Sequence, residues 1–189
     1  MPSALLTGAS GLAIAAACGL RAFLPLLVIG MSARVGLIPV HESVAWLAHT
    51  PVLWALGIAT AVEIIGDKVP AVDHVLDAVG VVLRPAAGAL AAYAAIADWP
   101  EPLPVVLALV AGTGALGVQA LKAKTRVGST LLTAGIGNPV LSIAEDIGAF
   151  GLSALALLVP LLALVFVIAG VFAARGVARA LSSRRASQR

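Results

Sequence analysis

Six of the nine acidic residues in this 189-residue chain fall in two short runs. The first is Glu63-Ile64-Ile65-Gly66-Asp67-Lys68-Val69-Pro70-Ala71-Val72-Asp73-His74-Val75-Leu76-Asp77. Glu63 and Asp67 are four apart, as are Asp73 and Asp77, and that spacing puts each pair on one helical face. Pro70 breaks the helix between them, so the second pair can fold back towards the first. Paired carboxylates repel unless a cation, a proton or a base such as Lys68 or Arg84 neutralises them. The chemistry implied is cation binding or proton relay. Asp73, His74 and Asp77 also have the donor types for a divalent metal, imidazole suiting transition metals and carboxylate oxygen suiting magnesium or calcium.

The second run is Gly135-Ile136-Gly137-Asn138-Pro139 followed by Glu145-Asp146. Unwound backbone at membrane depth is tolerated only where protein buries it or a cavity borders it, and carbonyls freed there can coordinate an ion beside Asn138. The site expected is therefore Glu63, Asp67, Glu145, Asp146 and Asn138, with Arg21, Arg84 and Lys122 balancing charge and a bound cation as the cofactor. Plainer readings compete with it. Asp73, His74 and Asp77 fit a solvated amphipathic helix whose Val72, Val75, Leu76, Val79 and Val82 face lipid. Glu145 fits a structural ion pair with Arg21 or Arg84. Lys122, Lys124 and Arg126 read as a cytoplasmic loop.

The elements that position these residues follow from composition. The chain is 61% hydrophobic and 11% charged, with a mean hydropathy of +1.08, far from the roughly 25% charged residues of soluble domains. A soluble enzyme, a disordered protein, a coiled coil and a disulfide scaffold are excluded; Cys18 is the single cysteine. Met1–Leu20, Ser43–Val62 and Pro102–Leu121 each give 20 uncharged residues, and Ile147–Ala174 gives 28; about 20 suffice to cross a bilayer. Ala22–Ala33 and Val127–Ala144 are interrupted by Pro25 and by the Gly/Pro break, and Pro85–Ala97 is too short to span alone. The expectation is an all-α integral membrane protein, a polytopic helical bundle of about six crossing or re-entrant segments. Trp46, Trp54 and Trp99 lie at span edges, as in an interfacial aromatic belt.

Thr7, Gly11, Ala15 and Gly19 form a row of small residues along one face, a pattern that favours close helix packing and, with the small size of the chain, a homo-oligomer. Gly19-Leu20-Arg21-Ala22 recurs as Ala120-Leu121-Lys122-Ala123 at an offset of 101, and Ala61–Gly66 resembles Ile143–Gly148 at an offset of 82. This suggests two membrane repeats, 1–98 and 99–178, the second inverted, with a site near their interface, and a basic tail over 179–189. The Arg-rich tail places the C-terminus in the cytoplasm by the positive-inside rule. It is too short and too poor in aromatics for nucleic acid. Ala15-Ala16-Ala17-Cys18-Gly19 is a faint lipoprotein box, but no Lys or Arg precedes the apolar region, so a cleaved signal is not expected.

The segments Gly-Leu-Arg-Ala-Phe-Leu-Pro from Gly19, Glu-Ile-Ile-Gly-Asp-Lys-Val-Pro from Glu63, Leu-Arg-Pro from Leu83, Lys-Ala-Lys-Thr-Arg from Lys122 and Gly-Asn-Pro-Val-Leu-Ser from Gly137 make a specific set. With them the chain resembles, over nearly its whole length, the bacterial membrane family catalogued as domain of unknown function 4126. That resemblance implies a multi-pass protein of the inner membrane, with the lipid bilayer as its partner, and no activity. From the residues, the leading function is a small transporter or channel for an ion or small polar solute. The alternatives are a non-catalytic accessory or lipid-handling protein and a metal-dependent enzyme acting on a lipid. Against the enzyme, the chain has neither a His-Glu-x-x-His motif nor a nucleophile elbow.

Overall fold

A computed structural model describes residues 2–133 and 136–186. Seven α-helices and one short 3-10 helix occupy most of this length: α1 (Pro2–Leu20), α2 (Phe23–Arg34), the 3-10 helix (Glu42–Ala48), α3 (Thr50–Gly66), α4 (Pro70–Ile96), α5 (Leu103–Thr133), α6 (Asn138–Leu158) and α7 (Pro160–Ala186). Proline opens α3, α4 and α6 in their first turns, where a missing N–H has no helical partner to lose. Pro25 falls in the first turn of α2 on the same logic.

The helices make an all-α bundle whose outward surface is apolar. Trp54, Ile58, Val82, Leu109 and Phe166 are all exposed, which suits lipid and not water. Val75–Ile96, Leu103–Thr133 and Asn138–Leu158 are long and apolar enough to cross a membrane. The 3-10 helix with α3, bent by 64°, makes a fourth candidate span, and Ala4–Leu20, Phe23–Arg34 and Pro160–Ala173 are shorter apolar helices. The chain is thus a multi-pass helical membrane protein.

α1 is the central helix and packs on α4, α5, α6 and α7. Small residues allow this. A Cβ on Gly19 would stand 2.5 Å from the Ala115 carbonyl oxygen, and one on Gly112 would stand 2.7 Å from that of Pro85. The row from Thr7 to Gly19 faces inward: Thr7 accepts a hydrogen bond from Trp99 Nε1 at 3.2 Å, and Gly11 abuts Ala92. This row is spent on packing within the chain.

Helix directions follow from the contacts. Gly11 meets Ala92 and Ala15 meets Gly88, so α1 and α4 are antiparallel. Gly112 meets Ala89, Gly80 meets Gln119 and Asp73 meets Arg126, so α4 and α5 are antiparallel as well. α1 and α5 therefore run the same way, and each delivers its basic residue, Arg21 or Lys122, to the same end. The inversion expected of the two halves does not hold for this pair. The Glu63 and Glu145 helices do oppose each other, α3 running towards that end and α6 away from it. No single repeat operation relates both pairs.

Three local expectations are also corrected. The Pro85–Ala97 segment is the second half of one 27-residue helix. Lys122, Lys124 and Arg126 lie within α5, not in a loop. Of the Gly/Pro break, Ala134 and Gly135 lie outside the described residues; Ile136 and Gly137 form a turn between α5 and α6, with Ile136 exposed. It ends a span instead of unwinding one.

Candidate functional site

The helix break that matters for the acidic residues is at Arg21. There α1 stops, and two residues later α2 starts back along the bundle. The Glu63 carboxylate explains the corner: Oε1 accepts from the Ala22 N–H at 3.0 Å and Oε2 from the Phe23 N–H at 3.4 Å. An anion at a helix N-terminus satisfies orphan donors and meets the positive end of the helix dipole. Arg84 Nη2 lies 3.8 Å from the same carboxylate.

Around this corner the charged side chains converge into one buried network. Arg21 is fully buried and Arg84 is 1% exposed. Asp67, in the α3–α4 turn, is its hub: Oδ2 receives Arg21 Nη1, Arg126 Nη2 at 2.8 Å and Lys122 Nζ at 3.4 Å. Lys122 also meets Glu145 Oε2 at 3.0 Å, and Arg126 Nη2 meets the same atom at 2.8 Å. Arg126 Nη1 binds Asp73, and Arg84 Nη1 reaches Asp77 at 3.4 Å. Arg21 Nε lies 2.7 Å from Asp146 Oδ1, a close charge contact whose angle makes it no hydrogen bond, while Nη2 donates to Ser142 Oγ at 3.1 Å. Lys68 closes the rim, 3.7 Å from Asp146. Six carboxylates thus meet five cations, leaving one negative charge over.

Carboxylates from both halves do come together, as the sequence suggested, and so do Arg21, Arg84 and Lys122. Their partners in the structure are guanidinium and ammonium groups. Asn138 stays apart and donates to Thr130 Oγ1 at 3.0 Å. The proposed metal set is not assembled either: Asp73 turns to Arg126 and Asp77 to Arg84, and the His74 side chain lies outside the described residues. Among the described residues no three His, Cys, Asp or Glu side chains converge to hold a metal.

The member that sequence reasoning missed is Arg126, which joins Asp67, Asp73 and Glu145. Its signal was the spacing: Lys122 and Arg126 are four apart on one face and buried, whereas Lys124 between them is exposed. Burial drives the Asp67 carboxyl towards its neutral form, but Lys122, Arg21 and Arg126 together outweigh this and hold it below the usual carboxylate range. For Asp73 burial wins over Arg126, and its carboxyl is pushed up.

Two cavities in the bundle bear on the reading of this network. One, of about 220 Å³, opens at the opposite end of the bundle, with His41 and Asp98 at its mouth, Thr7 and Ser10 along its wall and Ile14, Ile29 and Ala91 among its lining residues. The other, of about 360 Å³, is a groove between α5 and the α6–α7 pair, floored by Ala16 and Leu20 of α1. Its lining is mostly apolar, but Lys122 and Glu145 border it.

No curated protein and no solved structure matches the chain. A family model described as Domain of unknown function (DUF4126) matches residues 9–179, which include every residue of the network. With that match covering most of its length, the chain belongs to the DUF4126 family.

Proposed function

We propose that the protein is a membrane transporter or channel for a proton, an ion or a small polar solute, and that the charge network is its closed gate. The observation that carries this is Asp67: one buried carboxylate oxygen shared by cations from the α1–α2 corner and from α5, with its other oxygen lacking a hydrogen-bond partner. Taking charges out of water is expensive, and apolar replacements of buried ion pairs are often neutral or stabilising. A network of this size is thus a poor way to gain stability and a good way to build a two-state lock. Charged residues inside membrane spans mark ion and solute pathways more often than packing.

The cavity at the opposite end fits this reading. Beyond its Ile14 and Ala91 wall come the buried Ala17, Cys18 and Ala87, and then Arg21 and Arg84. One end is open to about mid-bundle and the other is locked, the arrangement expected of one state of alternating access. A cation that displaces Lys122 and Arg126 from Asp67 and Glu145 would loosen α5 from the α1–α2 corner. Among the described residues Arg34 is the one Lys or Arg at the cavity end, so the network end faces the cytoplasm by the positive-inside rule. No catalytic step is assigned.

The test is flux in proteoliposomes, with proton, sodium and potassium gradients applied in turn, for the wild type, Asp67→Asn and Glu145→Gln. The expected outcome is wild-type flux above empty liposomes for at least one of these, altered in both variants while each still unfolds cooperatively. Wild-type liposomes indistinguishable from empty ones under every gradient would overturn the proposal for protons and these ions.

A further inference from the structure

The groove of about 360 Å³ between α5 and the α6–α7 pair shares Lys122 and Glu145 with the gate but otherwise lies outside it, and its chemistry points to a ligand of its own. Its walls are Val118 and Leu121 of α5, Leu141 of α6, and Phe166, Val167 and Val171 of α7. Phe166 is exposed, so the groove opens sideways where a bilayer would surround the bundle. At its network end the lining turns polar, with Thr125 and the Lys122–Glu145 pair. The volume lies within the range of about 300–1,000 Å³ typical of small-molecule sites.

Two further cations stand at that end. Lys124 adjoins Thr125, and Arg175 follows Val171 by four residues, one turn farther along α7. Both are exposed, and among the described residues neither joins an ion pair. Arg175 continues the side of α7 that Val167 and Val171 present to the groove. An apolar slot that ends between unneutralised cations at a membrane surface matches one amphiphile in shape and charge. We propose that this groove binds an anionic phospholipid of the leaflet at the network end, one acyl chain lying along Val118, Leu141 and Val167 and the phosphate meeting Lys124 and Arg175. Basic pockets between membrane helices bind anionic headgroups in this way. A second copy of the chain is a poorer occupant, because side-by-side copies would set these same cations against each other.

The proposal stands apart from the transport reading, since its readout is binding. The full-length protein in detergent is titrated with phosphatidylglycerol and with phosphatidylcholine and followed by native mass spectrometry. Gly170 borders the groove, and a Cβ there meets nothing within 4 Å, so Gly170→Leu fills the slot without disturbing the bundle. Gly57→Leu, equally open but on α3, is the control. The wild type and Gly57→Leu are expected to retain phosphatidylglycerol in preference to phosphatidylcholine, and Gly170→Leu to lose both. Lys124→Gln and Arg175→Gln are each expected to weaken phosphatidylglycerol binding about fivefold, as loss of one surface cation implies, and to spare phosphatidylcholine. Equal binding of the two lipids by the wild type, unchanged phosphatidylglycerol binding by Gly170→Leu, or a wild-type dimer that Gly170→Leu dissociates would each overturn it.

Discussion

Arg126 meets Asp67, Asp73 and Glu145, three carboxylates delivered by three separate segments. Truncating it strands buried charge, and breaking such a pair costs about 3–5 kcal/mol. Arg126→Met is therefore expected to lower stability by that order in a denaturation series in detergent, whereas Lys124→Met, two residues away and exposed, stays within about 0.5 kcal/mol. Glu63→Gln keeps an acceptor for the Ala22 N–H but loses the charge opposite Arg84, and about 2 kcal/mol is the expected loss for a charge-assisted bond. The pH response has a sign. The Asp67 carboxyl is held below its ordinary value, so its contribution is complete above the unfolded pKa of about 3.9 and fades as pH falls through the lower native value. Asp73, pushed the other way, contributes with the opposite sign. Thermal unfolding of the wild type below about pH 4 is expected to show this acid limb, and Asp67→Asn to show a flatter one. At this scale the sequence disclosed the carboxylates, because acids four apart in an apolar chain stand out. Arg126 stayed hidden, because a basic triplet at the end of an apolar run looks the same in a loop as in a helix until a partner face is known.

Among the elements, the most informative are the places where helices stop. Breaks at Pro25 and at Gly135–Pro139 were the visible signals, yet α1 ends at Arg21. Proline in a first turn is harmless to a helix, so the sequence marks where α2 can begin without showing that a carboxylate 40 residues on captures its first amides. Tertiary capping of this kind has no local signature. Pro85 misled for the opposite reason: it lies inside a continuous α4, held between α1 and α5, where neighbouring helices tolerate such a residue. Span existence and the inward row of small residues were legible, because charge-free length and a four-residue period are local properties. The close approach of α1 to α5 gives a prediction at this scale. Gly19→Val drives a side chain into the Ala115 carbonyl and Val118 and is expected to cost about 1–3 kcal/mol by overpacking, while Gly117→Ala, facing open space, costs nothing measurable in the same unfolding assay.

For the whole molecule, charge is polarised along the bundle: every Lys and Arg of the described residues except Arg34 gathers at the network end, which the cavity between α1, α2 and α4 does not reach. If the network is a gate, groups inside it must become reachable under a driving gradient. Ser142 reports this cleanly, since its side chain is fully buried against Arg21 and Ser142→Cys alters one atom. In a Cys18→Ala background, reconstituted in liposomes, labelling of that cysteine by a membrane-impermeant thiol reagent is measured from the network side, with and without proton, sodium and potassium gradients. A gate requires slow labelling at rest and a clear rise under the gradient that drives flux. Labelling that stays equally slow under every gradient, in protein that remains folded, would contradict the gate and leave the network a structural clasp.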